Sequence, residues 1–279
     1  MVMNYENENR YTIARVVSEL KKLVKEDIPQ EYKDWASDGI TYTDRNPEAD
    51  VQDYPNNIFA YIRKEPMPKT VRDLVEGILL EGIDDNCAVS ATNLGALYYS
   101  GMIGEQSYEK ARKYYEIAAE NGEEQAIENL GYCYYYGRSC EVNFEKAYAY
   151  FAKGAFLGRI NSLYKIGDMY KNGYYVKQDE QTAYKIYNQC LSVIADKPNE
   201  HEEDAADIFV RIADCFVNGI GCEKNAMDAL YWAQKAEYEF RKREQNGNQF
   251  ARSGISWAVN LINQCRSILD QDTYLIQRC

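Results

Sequence analysis

The chain has 279 residues, 46% of them hydrophobic, enough to bury a substantial core without metals or disulfide staples. Its formal net charge of -12 and pI near 4.8 repel phosphate backbones, and no Lys/Arg cluster offsets them, so nucleic acid and anionic membranes are not expected partners. The start lacks the basic head and apolar run of a secretory signal and no stretch approaches about 18 consecutive apolar residues, so a cytoplasmic location is expected, with the eight cysteines kept as thiols.

In chain order, RYTIARVVSELKKLVKE (10–26) reads as a helix. Residues 26–68 hold five of the six prolines (Pro29, Pro47, Pro55, Pro66, Pro68), which excludes long helices there. Within them GITYTDR and NIFAYIRK have short β-like patterns. Residues 1–68 are therefore expected to form an N-terminal helix plus an irregular segment. KTVRDLVEGILLEG (69–82) is amphipathic, and 69–85 is expected to form a helix that caps the next part of the chain.

Self-similarity organises that next part. NLGALYYSG (93–101), NLGYCYYYG (129–137), KIGDMYKNG (165–173) and RIADCFVNG (211–219) align. Each has an apolar second residue (Leu94, Leu130, Ile166, Ile212), a small third (Gly95, Gly131, Gly167, Ala213), an aromatic sixth (Tyr98, Tyr134, Tyr170, Phe216) and a final glycine. An alanine stands ten residues later in each: Ala111, Ala147, Ala183, Ala229. The steps are 36, 36 and 46 residues, the long one carrying an insertion at IADKPNEHEED (194–204), which suits a loop or an extended helix end. Each unit reads as two helices, the first stopped by glycine and the second opened by Ser107, Asn143, Asp179 or Asn225 as N-cap. Four helix-pair repeats are thus predicted at 86–122, 123–158, 159–203 and 204–250. Residues 251–279 form a C-terminal capping helix and tail, with Ile255, Val259, Ile262, Cys265 and Ile268 on one face.

The pattern A-x-x-x-L-G-x-x-Y-x-x-G from Ala126 to Gly137, followed by Ala147 and Gly158, resembles the Sel1-like repeat family. The resemblance covers about residues 86–240. It implies an all-α, right-handed α/α superhelical solenoid related to tetratricopeptide repeats, with a concave groove and a scaffold or adaptor role. Repeat four departs from the pattern with Ala213 for glycine and with Ala233 where Tyr115, Phe151 and Tyr187 stand.

Catalytic signatures are missing. There is no G-x-S-x-G elbow, P-loop or dinucleotide glycine motif, and the one histidine, His201, falls in the acidic insertion. No enzyme, cofactor or metal is expected. Cys133/Cys140 and Cys215/Cys222 share a seven-residue spacing. Other repeats have Leu97 or Met169, and Gly104 or Val176, at those positions, which favours small apolar thiols; a structural disulfide is the alternative. A cysteine-rich branch of the resembled family is exported and disulfide-bonded, with penicillin-binding or β-lactamase activity. That makes a hydrolase a further alternative, for which the export signal and matching spacing are lacking.

The 26 tyrosines point toward recognition, since tyrosine brings large contact area at low entropy cost. The first-helix face that lines the groove in the resembled solenoids varies between repeats. It supplies the candidate protein-binding residues Tyr99; Glu128, Tyr132, Tyr135 and Tyr136; Tyr164, Asp168, Lys171 and Asn172; Asp214 and Asn218. The alternative is that these rings pack between repeats. The expected function is a non-enzymatic adaptor that binds a protein or peptide with a basic surface. Another reading is an inhibitor or immunity-type protein that masks a basic effector.

Overall fold

The computed structural model describes residues 69–198, 202–245, 248 and 250–276. The expected helix at 10–26, the proline-rich segment 26–68 and His201 lie outside the described residues. Among the described residues the chain is all helical. The helices are α1 Lys69–Asp84, α2 Ala88–Ser100, α3 Tyr108–Glu120, α4 Glu124–Tyr136 and α5 Phe144–Phe156, then α6 Ile160–Asn172, α7 Glu180–Asp196, α8 Glu202–Asn218, α9 Ala226–Gln245 and α10 Ala251–Ile276.

The helix boundaries reflect local chemistry. Ser107, Asn143, Asp179 and Asn225 each accept a hydrogen bond from a backbone N–H in the first turn of α3, α5, α7 and α9. Each cap of this kind contributes about 1 kcal/mol. At the other end, Gly101, Gly137 and Gly173 close α2, α4 and α6 in the left-handed conformation, where a side chain would be strained. The left-handed turn recurs at equivalent places further on, at Ser139, Tyr175 and Gly221.

The chain divides into two compact units at residues 142/143, inside the second repeat. In the first unit α1 packs on α2, α2 on α3, and α3 on α4. The core is built from Ile78 and Leu79 of α1, Leu94 and Leu97 of α2, Ala111 and Tyr115 of α3, and Ile127, Leu130 and Cys133 of α4. Gly95 permits this closeness: a Cβ there would lie 2.6 Å from the ring of Tyr115. Glu123 caps α4 through the N–H of Ala126 (2.7 Å) and also accepts the hydroxyl of Thr92 (2.9 Å), tying the start of α4 to α2.

The second unit holds α5–α10, each helix packed on the next and α10 also against α8. Its core runs through Tyr187, Cys190, Ile208, Ile212, Ala213, Ala233, Phe240 and Leu261. Gly167 repeats the device of Gly95, its absent Cβ making room for the Tyr187 ring. In repeat four both members change together: Ala213 and Ala233 are fully buried where a glycine and a ring stand elsewhere. Losing the ring frees the volume that a methyl group then fills.

Two expectations are refined by the structure. The insertion at 194–204 lengthens helices more than it makes a loop, since α7 and α8 have 17 residues each against 13 for α2 through α6. The sixth-position aromatics are not uniformly core: Tyr98 and Tyr134 are buried, whereas Tyr170 and Phe216 are half-buried. Phe216 instead meets the ring of Tyr184 edge-on, with centroids 6.1 Å apart.

Candidate functional site

In the first unit the helical spacing of α4 places Tyr132 and Tyr136 one turn apart, and their rings lie parallel with centroids 6.1 Å apart. Tyr135 meets Tyr136 edge-on at 4.9 Å. Just beyond the closing glycine, Arg138 folds back so that its guanidinium lies 6.0 Å from the Tyr136 ring and 4.8 Å from that of Tyr108. Arg138 Nη1 also donates to the Tyr108 hydroxyl at 3.0 Å. Tyr108 opens α3 and meets Tyr99 of α2 edge-on at 5.0 Å. Burial raises the phenol pKa of Tyr99, and Arg138 partly opposes this. Among the described residues, five tyrosines from three helices therefore form one aromatic face, with Arg138 set against two of its rings. Tyr136 is 49% exposed and the other four are half-buried.

Four of the five rings, Tyr99, Tyr132, Tyr135 and Tyr136, are among the expected binding residues. Tyr108 and Arg138 are additions. The signal for Tyr108 lay in the N-cap, because Ser107 fixes Tyr108 as the first helical residue. Arg138 had none, since its position is set by the turn after Gly137. The junction recurs one repeat later, where Phe144 and Tyr174 stack at 4.3 Å with 8° between planes. Arg138 thus combines an inter-repeat packing role with that of holding the tyrosine face together. Glu128, also expected on this face, is buried, and Gln125 donates to it at 3.2 Å.

The expected residues of the second unit have a different setting. Asp168 of α6 accepts both arms of the Arg211 guanidinium at 2.7 Å, the hydroxyl of Tyr187 at 2.8 Å and the ammonium of Lys165 at 3.2 Å. Arg211 in turn lies 4.0 Å over the Tyr164 ring and 5.6 Å from Trp257 of α10. Burial alone would favour neutral Asp168. Arg211 and Lys165 beside it, with hydrogen bonds from Arg211 and Tyr187, hold its carboxyl well below the usual carboxylate range. Asp214 is paired with Lys171 and accepts from Asn218 at 2.7 Å, and Asn172 donates to the backbone of Asp168 at 2.7 Å. Tyr164, Asp168 and Asp214 are buried, so the acidic contribution expected of Asp168, Asp214 and Glu128 does not reach the surface. Asp168 and Asp214 instead bridge α6 to α7 and α8, and the cations and donors around them are what a buried carboxylate requires.

Comparison with known families agrees with the repeat geometry. The family profile of the Sel1 repeat matches residues 88–123, 125–158, 160–189 and 210–238. The chain is a Sel1-repeat protein. Repeats of this family generally mediate protein–protein interaction as scaffolds. Among solved structures, this Sel1-repeat chain is similar to a Sel1 repeat protein from Oxalobacter formigenes, with 22% identity, a TM-score of 0.54, and 88% of this chain and 96% of that one covered. That likeness speaks for the fold. A protective antigen of uropathogenic Escherichia coli strains displaying an SLR fold also matches, at 16% identity and a TM-score of 0.38 over 83% of this chain and 60% of that one. A search of curated proteins found no match.

Most of the described cysteines of this Sel1-repeat protein occupy packing positions. Seven are described and none is bridged; Cys133, Cys190, Cys215 and Cys265 are buried. Burial pushes the thiols of Cys133, Cys190 and Cys215 up to about 12, which leaves them protonated and poorly nucleophilic at neutral pH. Cys140 Sγ lies 3.8 Å from the carbonyl of Cys133, as a weak donor to the helix end. No helix among the described residues is long and apolar enough to cross a membrane.

Proposed function

We propose that this Sel1-repeat protein is a non-enzymatic adaptor that binds a partner protein or peptide through the tyrosine face of its first unit. The supporting observation is the continuous assembly of Tyr99, Tyr108, Arg138, Tyr136, Tyr135 and Tyr132, whose rings are pre-positioned by ring–ring contacts and, at Tyr108 and Tyr136, by Arg138. Rings held in place before binding lose little entropy on contact, which is the condition under which tyrosine serves best as an interface anchor. The chain's net charge of -12 favours a basic partner through long-range attraction rather than through Glu128, Asp168 or Asp214.

The test places a photo-crosslinking amino acid at exposed Tyr136 in the full chain, identifies what is captured in the native host, and measures that partner's affinity in solution. The double substitution Tyr132→Ala and Tyr135→Ala is expected to weaken binding by about 2 kcal/mol or more, roughly thirtyfold, with helicity unchanged. Unchanged affinity in a folded double variant rejects the assignment.

A further inference from the structure

The solvent face of α9 is unlike that of an ordinary surface helix. Its core face is marked by Ala229, Ala233, Ala236 and Phe240, all buried. On the opposite side Met227, Tyr231 and Tyr238 stand at positions i, i+4 and i+11, 63%, 52% and 68% exposed, a row of large apolar side chains about 16 Å long with exposed Gln234 between its two tyrosines. Beside the row three rings converge. Trp232 lies 5.2 Å from Phe209 of α8 and 5.1 Å from Tyr231. The ammonium of Lys235 sits at nearly equal distances from all three: 5.3 Å from Phe209, 5.1 Å from Tyr231 and 5.2 Å from Trp232. Among the described residues Lys235 makes no ion pair with a carboxylate. The rings are its counter-surface, and the quadrupole of each ring attracts the cation.

We infer that Phe209, Tyr231 and Trp232 form an ammonium seat for a lysine of a partner protein, in which Lys235 is a tethered stand-in, and that the partner segment lies along Met227, Tyr231 and Tyr238. Lys235 shows that the seat accepts an alkylammonium. Its flexible four-carbon stem on the exposed side of the helix lets it swing out at little cost. The exposed row supplies apolar contact next to the seat, and the net charge of -12 attracts a basic segment. The occupant is a lysine rather than an arginine, because the present occupant is a compact ammonium surrounded on three sides rather than a planar group stacked on one ring. Only second-unit residues build this seat, so its failure leaves the tyrosine-face proposal standing.

The experiment tracks the indole N–H resonance of Trp232 in the full chain, assigned by its loss in Trp232→Phe. Probes are tetramethylammonium chloride, sodium chloride at matched concentration, and the peptides acetyl-Leu-Ala-Lys-Ala-Leu-amide and its norleucine counterpart. The lysine peptide and tetramethylammonium are expected to shift the resonance saturably, and sodium chloride and the norleucine peptide are not. In Lys235→Ala, which vacates the seat, affinity for both should rise; if Lys235 occupies the rings nine-tenths of the time, the gain is about tenfold. Phe209→Leu should abolish the response, as should Tyr231→Leu, the exposed variant least able to disturb folding. Thermal unfolding confirms that each variant is folded. No saturable shift in Lys235→Ala overturns the inference. A response to tetramethylammonium without preference for lysine over norleucine also overturns it, since the seat would then belong to a small quaternary amine and not to a partner protein.

Discussion

Gly167 of α6 lies directly beneath the ring of Tyr187 of α7, so close that a Cβ on the glycine would fall 2.6 Å from Cε1 of the tyrosine. The ring is almost fully buried, and its hydroxyl reaches back to Asp168 at 2.8 Å. Gly167→Ala must displace that ring and is expected to destabilise the second unit by about 1–3 kcal/mol. Tyr187→Ala should cost about 3–5 kcal/mol through cavity formation. The double variant copies the Ala213/Ala233 solution of repeat four, so its cost should fall below the sum of the two by about 1 kcal/mol or more. Urea unfolding of the three variants measures the coupling; strict additivity would refute it.

The pairing of Asp168 with Arg211 predicts a direction for acid unfolding. Because the folded carboxyl is held below its unfolded value, its stabilisation is fully present above about pH 4 and is lost as pH falls through the lower folded value. Asp168→Asn should flatten the decline of stability below about pH 4 while lowering stability at pH 7. Removing one partner outright, as in Arg211→Ala, should cost about 3 kcal/mol at neutral pH, because only Lys165 and the Tyr187 hydroxyl then remain to hold the buried carboxylate. Denaturant midpoints at pH 7 and pH 3 provide the check.

Arg138 joins two tyrosines that belong to different helices. Arg138→Met keeps an apolar stem but removes the cation from Tyr108 and Tyr136 and the hydrogen bond to the Tyr108 hydroxyl. A loss of about 1–2 kcal/mol is expected, with a change in near-ultraviolet dichroism from the released rings. Arg138→Lys should recover only part of it, because an ammonium cannot stack between rings as a planar guanidinium does. An unaltered near-ultraviolet spectrum in the Met variant would show that the rings do not depend on Arg138.

Thiol reactivity should sort by burial. Iodoacetamide at pH 8 is expected to leave Cys133, Cys190 and Cys215 unmodified in the folded chain and to label them once the chain is unfolded, as read by peptide mass analysis. Rapid native labelling at any of the three would contradict the packing described.

Much of this architecture was legible in the sequence because the repeat spells out its own constraints. Leu94, Gly95 and Gly101 recur with their partners at fixed spacing, and four N-cap side chains mark four helix starts. The tyrosine face was half legible: helical phase groups Tyr132 with Tyr136, but only the turn geometry brings Arg138 back over Tyr108. Asp168 and Asp214 were expected to face a partner because helical phase places them off the core stripe. It cannot reveal that Arg211, 43 residues from Asp168, folds over that face and encloses it. Periodicity reports which side of a helix a residue occupies; what covers that side is decided by residues distant in sequence.

The lengthening of α7 and α8 has a consequence for how this chain can change size. Four residues rotate a helix by about 400°, close to one whole revolution, so adding four to each arm of a hairpin raises it by about 6 Å without re-aiming what lies above or below. A single-residue insertion inside α8 would instead offset its two flanks by about 100° and take part of the Ala205–Phe209 stretch off the core. The hairpin therefore grows in storeys rather than steps, and a variant trimmed by one storey on both arms should close over the same interior as the 13-residue helices beside it.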